Sequence, residues 1–282
     1  MRDAATKRLL GLSALAGVFV LWGCEPSTSG TCAATPEEVW IVQSLFFGRI
    51  DGATSPGFNL DAIQGMQCGA RDYVSPEGER GIDNQFGGLL PIVEAQAVGG
   101  MPLDYLVQDS IASGQILLAF ELGGVDAWTD DGCVSTRLRR LSGTPLLGTD
   151  NLLLSGQTLY PEPTAVINDL GEAAIREGSL EPAPADIVLP ISILDARFIL
   201  NVRDAHIRLT SVDEDHVEGV ISGGIDVEEI LAVVATLNIP SDLMATAEAL
   251  VRGNADLVPM GRDCAQLSAV LEFRAVRGFI GE

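Results

Sequence analysis

The 282-residue chain is 47% hydrophobic and 20% charged, with 39 acidic against 17 basic side chains and a net charge of −22. That apolar content supports a packed core rather than a disordered coat, and a field of that sign argues against nucleic acid and anionic lipid headgroups as partners. Lys7 is the only lysine, which excludes Schiff-base chemistry, a P-loop and a Ser–Lys dyad from everything that follows it.

The chain opens "MRDAATKRLL", with Arg2, Lys7 and Arg8, and continues as an apolar run from Leu9 to Gly23. A basic start followed by about 7–15 apolar residues is the pattern of a secretion signal. The run is shorter than the ~20 residues a spanning helix needs. Leu21-Trp22-Gly23-Cys24 resembles the lipobox of bacterial lipoproteins. The resemblance implies cleavage after Gly23, diacylation of Cys24 and a membrane attachment that two acyl chains make stable. Glu25 after the cysteine, in place of Asp, implies sorting to the outer membrane. The polar stretch "EPSTSG" fits a tether. The chain thus divides into a signal peptide (1–23), a lipid-anchored tether (24–36) and one disulfide-stabilised domain (37–282). Residues 1–23 hold three of the basic and one of the acidic side chains, so a chain starting at Cys24 carries a net charge of −24.

With Cys24 acylated, Cys32, Cys68, Cys133 and Cys264 remain of the five cysteines. An even number in an exported chain predicts two disulfides. Three pairings are open, and the expectation is Cys32–Cys68 with Cys133–Cys264, the second tying the C-terminal segment to mid-chain.

"VWIVQSLFFGRI" (39–50) is rich in β-branched and aromatic residues and predicts a strand, although Thr35-Pro36-Glu37-Glu38 also has the form of a helix start. From Asp51 to Gly88, glycine, proline and acidic residues mark turns. Helices are predicted over 84–98 and 103–113, on either side of "GGMP". Strands follow at Gln115–Leu122, Cys133–Leu141 and Asn151–Tyr160, then a short helix over Val166–Glu177 and a Pro-rich bend, "LEPAPADIVLP". "DARFILN" from Asp195 is echoed by "DAHIRLT" from Asp204, which predicts two successive strands of a meander. "SVDEDHVEG" reads as a hairpin tip, returning through Val217–Ser222. Asp226 and Glu229 have the spacing of a capping box, opening a helix with Val227, Ile230, Leu231 and Val234 on its core face. A second helix over Ser241–Val251 follows Pro240. Gln266–Ile280 closes the chain as a strand, with Leu271, Phe273 and Ala275 alternating against Glu272, Arg274 and Val276. Strands at both ends around helical insertions predict an α+β fold, a strand-rich antiparallel sheet or sandwich with a few helices on one side.

Catalytic motifs are sparse. The two histidines, His206 and His216, fall on a strand and at a turn, and no G-x-S-x-G, H-E-x-x-H or C-x-x-C occurs, so neither a Ser-His-Asp device nor a zinc site is spelled out. Acidic residues are too numerous to single out a glycosidase-type pair. "GVISGGID" reads as tight strand-to-helix packing rather than an anion loop.

The oxygen-rich loop from Asn59 to Asn84 is the candidate binding element. Asn59, Asp61, Asp72, Asp83 and Asn84, with Glu77 and Glu79, are the oxygen donors calcium would take from an irregular loop. The competing role for them is turn formation, with Asp83 capping the next helix. "FNLD" and "GIDNQFG" in this order resemble a pattern of uncharacterised exported bacterial lipoproteins, a resemblance that implies no activity. Arg137 and Arg139, on one face of a strand, and Arg140, on the other, have the makings of a clamp for a carboxylate or phosphate.

The expectation is a membrane-anchored envelope protein without enzymatic activity, held by acylated Cys24. It would bind an envelope protein or a small ligand, with calcium as its structural ion. Two alternatives stay open. A hydrolase would show two facing acids of raised pKa in a concave pocket, and a lipid carrier would show a large apolar cavity within the sheet.

Overall fold

A computed structural model describes residues 32, 38–97, 100–193, 196–236 and 241–281. The signal peptide, Cys24 and all of the tether except Cys32 lie outside the described residues. The elements begin with β1 (Glu38–Phe47) and four short strands, β2 (Met66–Gln67), β3 (Ala70–Arg71), β4 (Tyr73–Val74) and β5 (Arg80–Ile82). Helices α1 (Gln85–Ala97) and α2 (Leu103–Ala112) lead to β6 (Leu118–Gly123), β7 (Asp130–Ser142), β8 (Thr158–Pro161), β9 (Asn168–Arg176) and β10 (Ser179–Leu180). There follow β11 (Ala185–Ile193), β12 (Ala196–Ser211), β13 (His216–Asp226), α3 (Val227–Thr236), α4 (Ser241–Asn254), β14 (Leu257–Met260) and β15 (Asp263–Ile280).

The sheet is strand-rich and antiparallel, as the alternation of apolar residues predicts, but it is neither open nor a sandwich. Strand β1 pairs with β6, β6 with β7, β7 with β9, β9 with β10, β10 with β12, β12 with β13 and β13 with β15. Strand β15 then returns to β1, and every one of these pairings is antiparallel. The ring closes as an eight-stranded barrel whose spatial order follows chain order, and closure removes its open edges. Three more strands add to it: β8 at the ends of β7 and β15, β11 on β12, and β14 on β15.

Register decides what the barrel holds. Trp40 lies opposite Phe120, Phe120 opposite Leu138, Leu45 opposite Phe273, Gly219 opposite Phe273 and Leu209 opposite Gly219. These residues share the inner face, and Trp40, Phe120, Leu138, Leu209 and Phe273 are at most 3% exposed. The rings of Phe120 and Phe273 stack with centroids 4.9 Å apart. An eight-stranded barrel is just wide enough for side chains to fill, and this one is filled. Outward positions such as Glu218, opposite Arg274, and Glu272 are exposed and charged. A membrane-spanning barrel has the reverse arrangement. Among the described residues no helix is long and apolar enough to cross a membrane.

One end of the barrel is covered. Helix α2 packs on β1 and β11, and its Val107 and Ile111 join the same buried cluster as Phe120 and Phe273. The other end carries the start of β1, the β6–β7 loop, the β12–β13 hairpin and the end of β15.

Several local expectations change under tertiary pairing. The segment expected to be helical over Val166–Glu177 is β9, because pairing with β7 and β10 outweighs the helix propensity of "EAAIRE". The expected Pro-rich bend contains β11, which pairs with β12 alone and so accommodates Pro190. The two echoing strands are one strand, β12, with a bulge between Arg203 and His206 and Asp204 at φ 47°. Of the strand expected over Asn151–Tyr160, only its end forms β8. The capping box is not made. Asp226 accepts hydrogen bonds from Gln266 and Arg203, and Glu229 from Asn201 and Arg203.

The four cysteines form two disulfides, but not in the expected pairing. Cys32 bonds Cys133 and Cys68 bonds Cys264, with Cα separations of 5.3 and 5.9 Å. Barrel closure is the reason. The start of β1 lies beside the end of β6 and hence near the start of β7, where Cys133 sits, whereas the loop bearing Cys68 reaches the start of β15.

Candidate functional site at the barrel mouth

Glu38 begins β1 with its side chain turned to the inner face, two residues before Trp40. Its Oε2 accepts hydrogen bonds from both indole N–H groups, Trp40 at 3.1 Å and Trp128 at 2.9 Å. Its Oε1 accepts one from Arg277 Nη2 at 2.6 Å. A carboxylate holding two indoles and a guanidinium fixes three side chains from three elements, because charge-assisted bonds are short and directional. The two indoles meet edge to face, centroids 5.9 Å apart at 82°, and the Arg277 guanidinium lies 5.2 Å from the Trp40 ring centroid. Trp40, 1% exposed, is the floor of the mouth.

Two loops build the walls. Trp128 sits in the β6–β7 loop, which Asp131 braces by accepting the backbone N–H groups of Asp126 and Cys133. Those bonds, Cys133 first, hold the Asp131 carboxyl below its ordinary pKa. The opposite wall is the β12–β13 hairpin, docked where Arg277 N–H donates to the Asp215 carbonyl at 3.1 Å. Asp213 accepts from Asp215 N–H and pairs with His216 Nδ1 at 2.8 Å, and the His216 bond is the main cause of its lowered pKa. Trp40, Trp128, Ser211, Asp213, Glu214 and Arg277 line an open pocket of about 390 Å³, a volume within the range of small-molecule sites.

The loop singled out for calcium behaves differently. Its two motifs bind each other: Asp83 N–H donates to the Phe58 carbonyl, and Asp83 Oδ2 accepts from Leu60 N–H at 2.7 Å. Asn84, not Asp83, caps α1 by accepting from Gly87 N–H, and its amide donates to Gly48 O and Ser55 Oγ. Asp61 closes a turn onto Ile63 N–H and Asp72 one onto Gly65 N–H. Asn59 lies against Gly81, whose φ of 85° and lack of a Cβ admit it. Glu77 and Glu79 are exposed beside Ser75, whose hydroxyl accepts both of their backbone N–H groups.

Among the described residues, the only three Cys, His, Asp or Glu side chains with ligand atoms within 4.8 Å of one another are Cys32, Cys133 and Glu172. The first two are joined in a disulfide. Asp61, Asp72, Asp83 and Asn84 each accept a backbone N–H, Asn59 Oδ1 is buried with no partner among the described residues, and Asp61 and Asp72 lie near enough to Asp83 to oppose its ionisation.

Sequence reasoning did not single out Asp256, which lies beside this loop, its carbonyl accepting from Gln67 Nε2 and its carboxyl near those of Asp61 and Asp83. It is 3% exposed and accepts from both the N–H and the hydroxyl of Ser268. Burial pushes Asp256 up to about 6 and Asp83, 2% exposed, up to about 7, with the nearby carboxylates adding to the shift. A second pocket of about 260 Å³ lies beside the loop, lined by Asp61, Arg203 and Asp204 among others. Arg203 there is bound by Asp186, Asp226 and Glu229.

The arginine cluster already holds a carboxylate of the same chain. Glu121, 2% exposed on the outward face of β6, has Arg139 Nε 2.7 Å from its Oε1 and Arg137 opposite it. Arg140 donates to Gln115 O. His206 lies against Phe58 with ring centroids 5.4 Å apart and planes tilted by 41°. The mouth residues Glu38, Trp40, Trp128 and Arg277 were not predicted as a site. The available signal was that two of the three tryptophans follow the signal segment, each close to acidic residues. No protein-family description, curated protein or solved structure matches the chain.

Proposed function

We propose that the chain is a lipid-anchored envelope protein, without enzymatic activity, whose barrel mouth binds a small ligand. The observation that carries this reading is the convergence of Trp40 and Trp128 with Glu38 and Arg277 on one pocket, at the uncovered end of a barrel whose interior is otherwise filled. Aromatic walls with a few fixed charges are the ordinary make-up of small-molecule sites. Glu38 already accepts three hydrogen bonds, so its role is to order the wall rather than to move protons.

The chain enters the domain at this same end, through Cys32 and its bond to Cys133 on β7. Eight residues separate Cys32 from Cys24, a reach of at most ~28 Å. Acylation of Cys24 would therefore keep this end close to the envelope surface.

The other readings find less support. The two acids pushed up furthest, Asp83 and Asp256, are enclosed and line neither of the two pockets described above, so as a hydrolytic pair they would lack access to substrate. An acyl chain inside the barrel would compete with Phe120, Leu138 and Phe273.

Saturation-transfer NMR of the exported protein against a panel of sugars, amino acids and amines tests the reading. Transfer is expected to some panel members with the wild type and to none with Trp128→Ala. Transfer that survives both Trp128→Ala and Arg277→Ala would place binding elsewhere.

A further inference from the structure

The mouth already contains one cation of its own. Arg277 lies 5.2 Å from the Trp40 ring centroid and donates to Glu38 at 2.6 Å. An indole face, a guanidinium and a carboxylate make a neutral, self-contained set. Beside it stand a second indole and two carboxylates with no arginine among them, Asp213 having His216 as its neighbour. Trp128 lines the pocket, half-buried, and among the described residues no arginine is positioned over its ring. Asp213 and Glu214 line the same pocket. Asp213 is held charged by its partners, and Glu214 makes no hydrogen bond or ion pair among the described residues.

We infer that the mouth binds a small organic cation, an alkylammonium compound whose charge sits between Trp128 and the carboxylates of Asp213 and Glu214. The inference rests on the mouth being a binding site. The pocket, about 390 Å³ and open to solvent, has room for an apolar body packed on the indole beside the charge. Three observations set the sign of its charge. Asp126 and Asp215 are exposed on the same two loops, as is Asp130 at the start of β7 opposite Arg176, and a predominantly acidic rim concentrates cationic ligands and repels anions. Arg277, the cation an anionic ligand would need, is already paired with Glu38. Ser211 is the single uncharged polar side chain lining the pocket, a thin set of hydrogen-bonding groups for a sugar. The two indoles would report directly on occupancy.

The test uses the exported protein and follows the indole N–H resonances of Trp40 and Trp128. The probes are butylammonium, choline and the uncharged isostere of choline in which a tert-butyl group replaces the trimethylammonium. At least one cation is expected to shift the Trp128 resonance with an affinity roughly tenfold or more above that of the uncharged isostere. Glu214→Gln combined with Asp213→Asn should remove most of that preference, while an unchanged thermal midpoint and an unchanged Trp40 resonance show the mouth intact. Equal binding of choline and its isostere overturns the cation assignment and leaves the mouth as a binding site. If no probe moves either indole while other panel molecules bind in a Trp128-dependent way, the cation assignment again falls alone. Absence of any Trp128-dependent binding removes both. Cation preference that persists in the double variant overturns the role given to the two carboxylates.

Discussion

Asp83 shows how burial can make one side chain sensitive to pH. It is 2% exposed and keeps its proton up to about 7, because desolvation opposes ionisation more strongly than the Leu60 N–H favours it. An unfolded aspartate ionises near 3.8. Between those values the folded state binds more protons than the unfolded one, so stability is greatest below the window and falls as pH rises through it. The unfolding free energy of the wild type, read from urea denaturation, should therefore drop between about pH 4 and about pH 8 by an amount on the order of a few kcal/mol. Asp83→Asn, whose amide oxygen still accepts from Leu60, should remove the fall between about pH 6 and about pH 7 and roughly halve it below, where Asp256 contributes as well. An unchanged pH profile in the variant would mean that Asp83 ionises normally in the fold. Glu38 offers a contrasting case. Glu38→Gln keeps one acceptor oxygen but loses the charge that holds Arg277, and should weaken binding at the mouth while costing only about 1–2 kcal/mol in stability. Calorimetry and a denaturation curve on the same sample separate the two effects.

Among the elements, β13 and β15 illustrate how a strand position is chosen by its neighbours. Gly219 faces Phe273 across the barrel wall, and a Cβ there would lie 2.6 Å from the Phe273 ring and 2.0 Å from Arg208 O. The position needs glycine for space, since its backbone is ordinary strand. Gly219→Ala should cost about 1–3 kcal/mol or more by overpacking, read as a shift in the denaturation midpoint with an unchanged slope. A variant as stable as the wild type would show that the Phe273 ring can move aside. The same dependence on neighbours explains β9. "NDLGEAAIR" has helix-forming residues, yet Leu170 and Ile175 are buried within the wall and the segment pairs with β7. Helices α1 to α4, by contrast, were legible because their apolar spacing is local, even though the caps read for α1 and α3 are not the ones made.

For the molecule as a whole, closure is the feature that orders the rest. It makes β1 and β15 neighbours although they bracket most of the chain, and it sets which cysteines meet. Peptide mapping under non-reducing conditions should recover Cys32–Cys133 and Cys68–Cys264, which span 101 and 196 residues. Loops of that length correspond to about 4–5 kcal/mol for the first bond in the chain-entropy model. Replacing Cys32 and Cys133 together by Ser should lower stability by up to that amount and loosen the mouth, visible as broadened Trp128 indole resonances. Recovery of Cys32–Cys68 would contradict the barrel register near β1 and β7.

The residues alone were sufficient for whatever depends on neighbours a few positions apart, or on no neighbours. Charge, the missing lysines, an even set of cysteines after Cys24, the four helices and the alternation of Leu271, Phe273 and Ala275 are properties of that kind. Strand pairing is not, since its energy comes from contacts between segments separated by tens to hundreds of residues, and a period of two marks two faces without saying which strand lies alongside. Barrel rather than sandwich, the cysteine partners and the merging of two echoing segments into β12 all followed from that long-range choice. The mouth is the clearest consequence. Glu38, Trp128 and Arg277 carry no common motif, and they form one site because β1, the β6–β7 loop and β15 end at the same rim of a closed sheet.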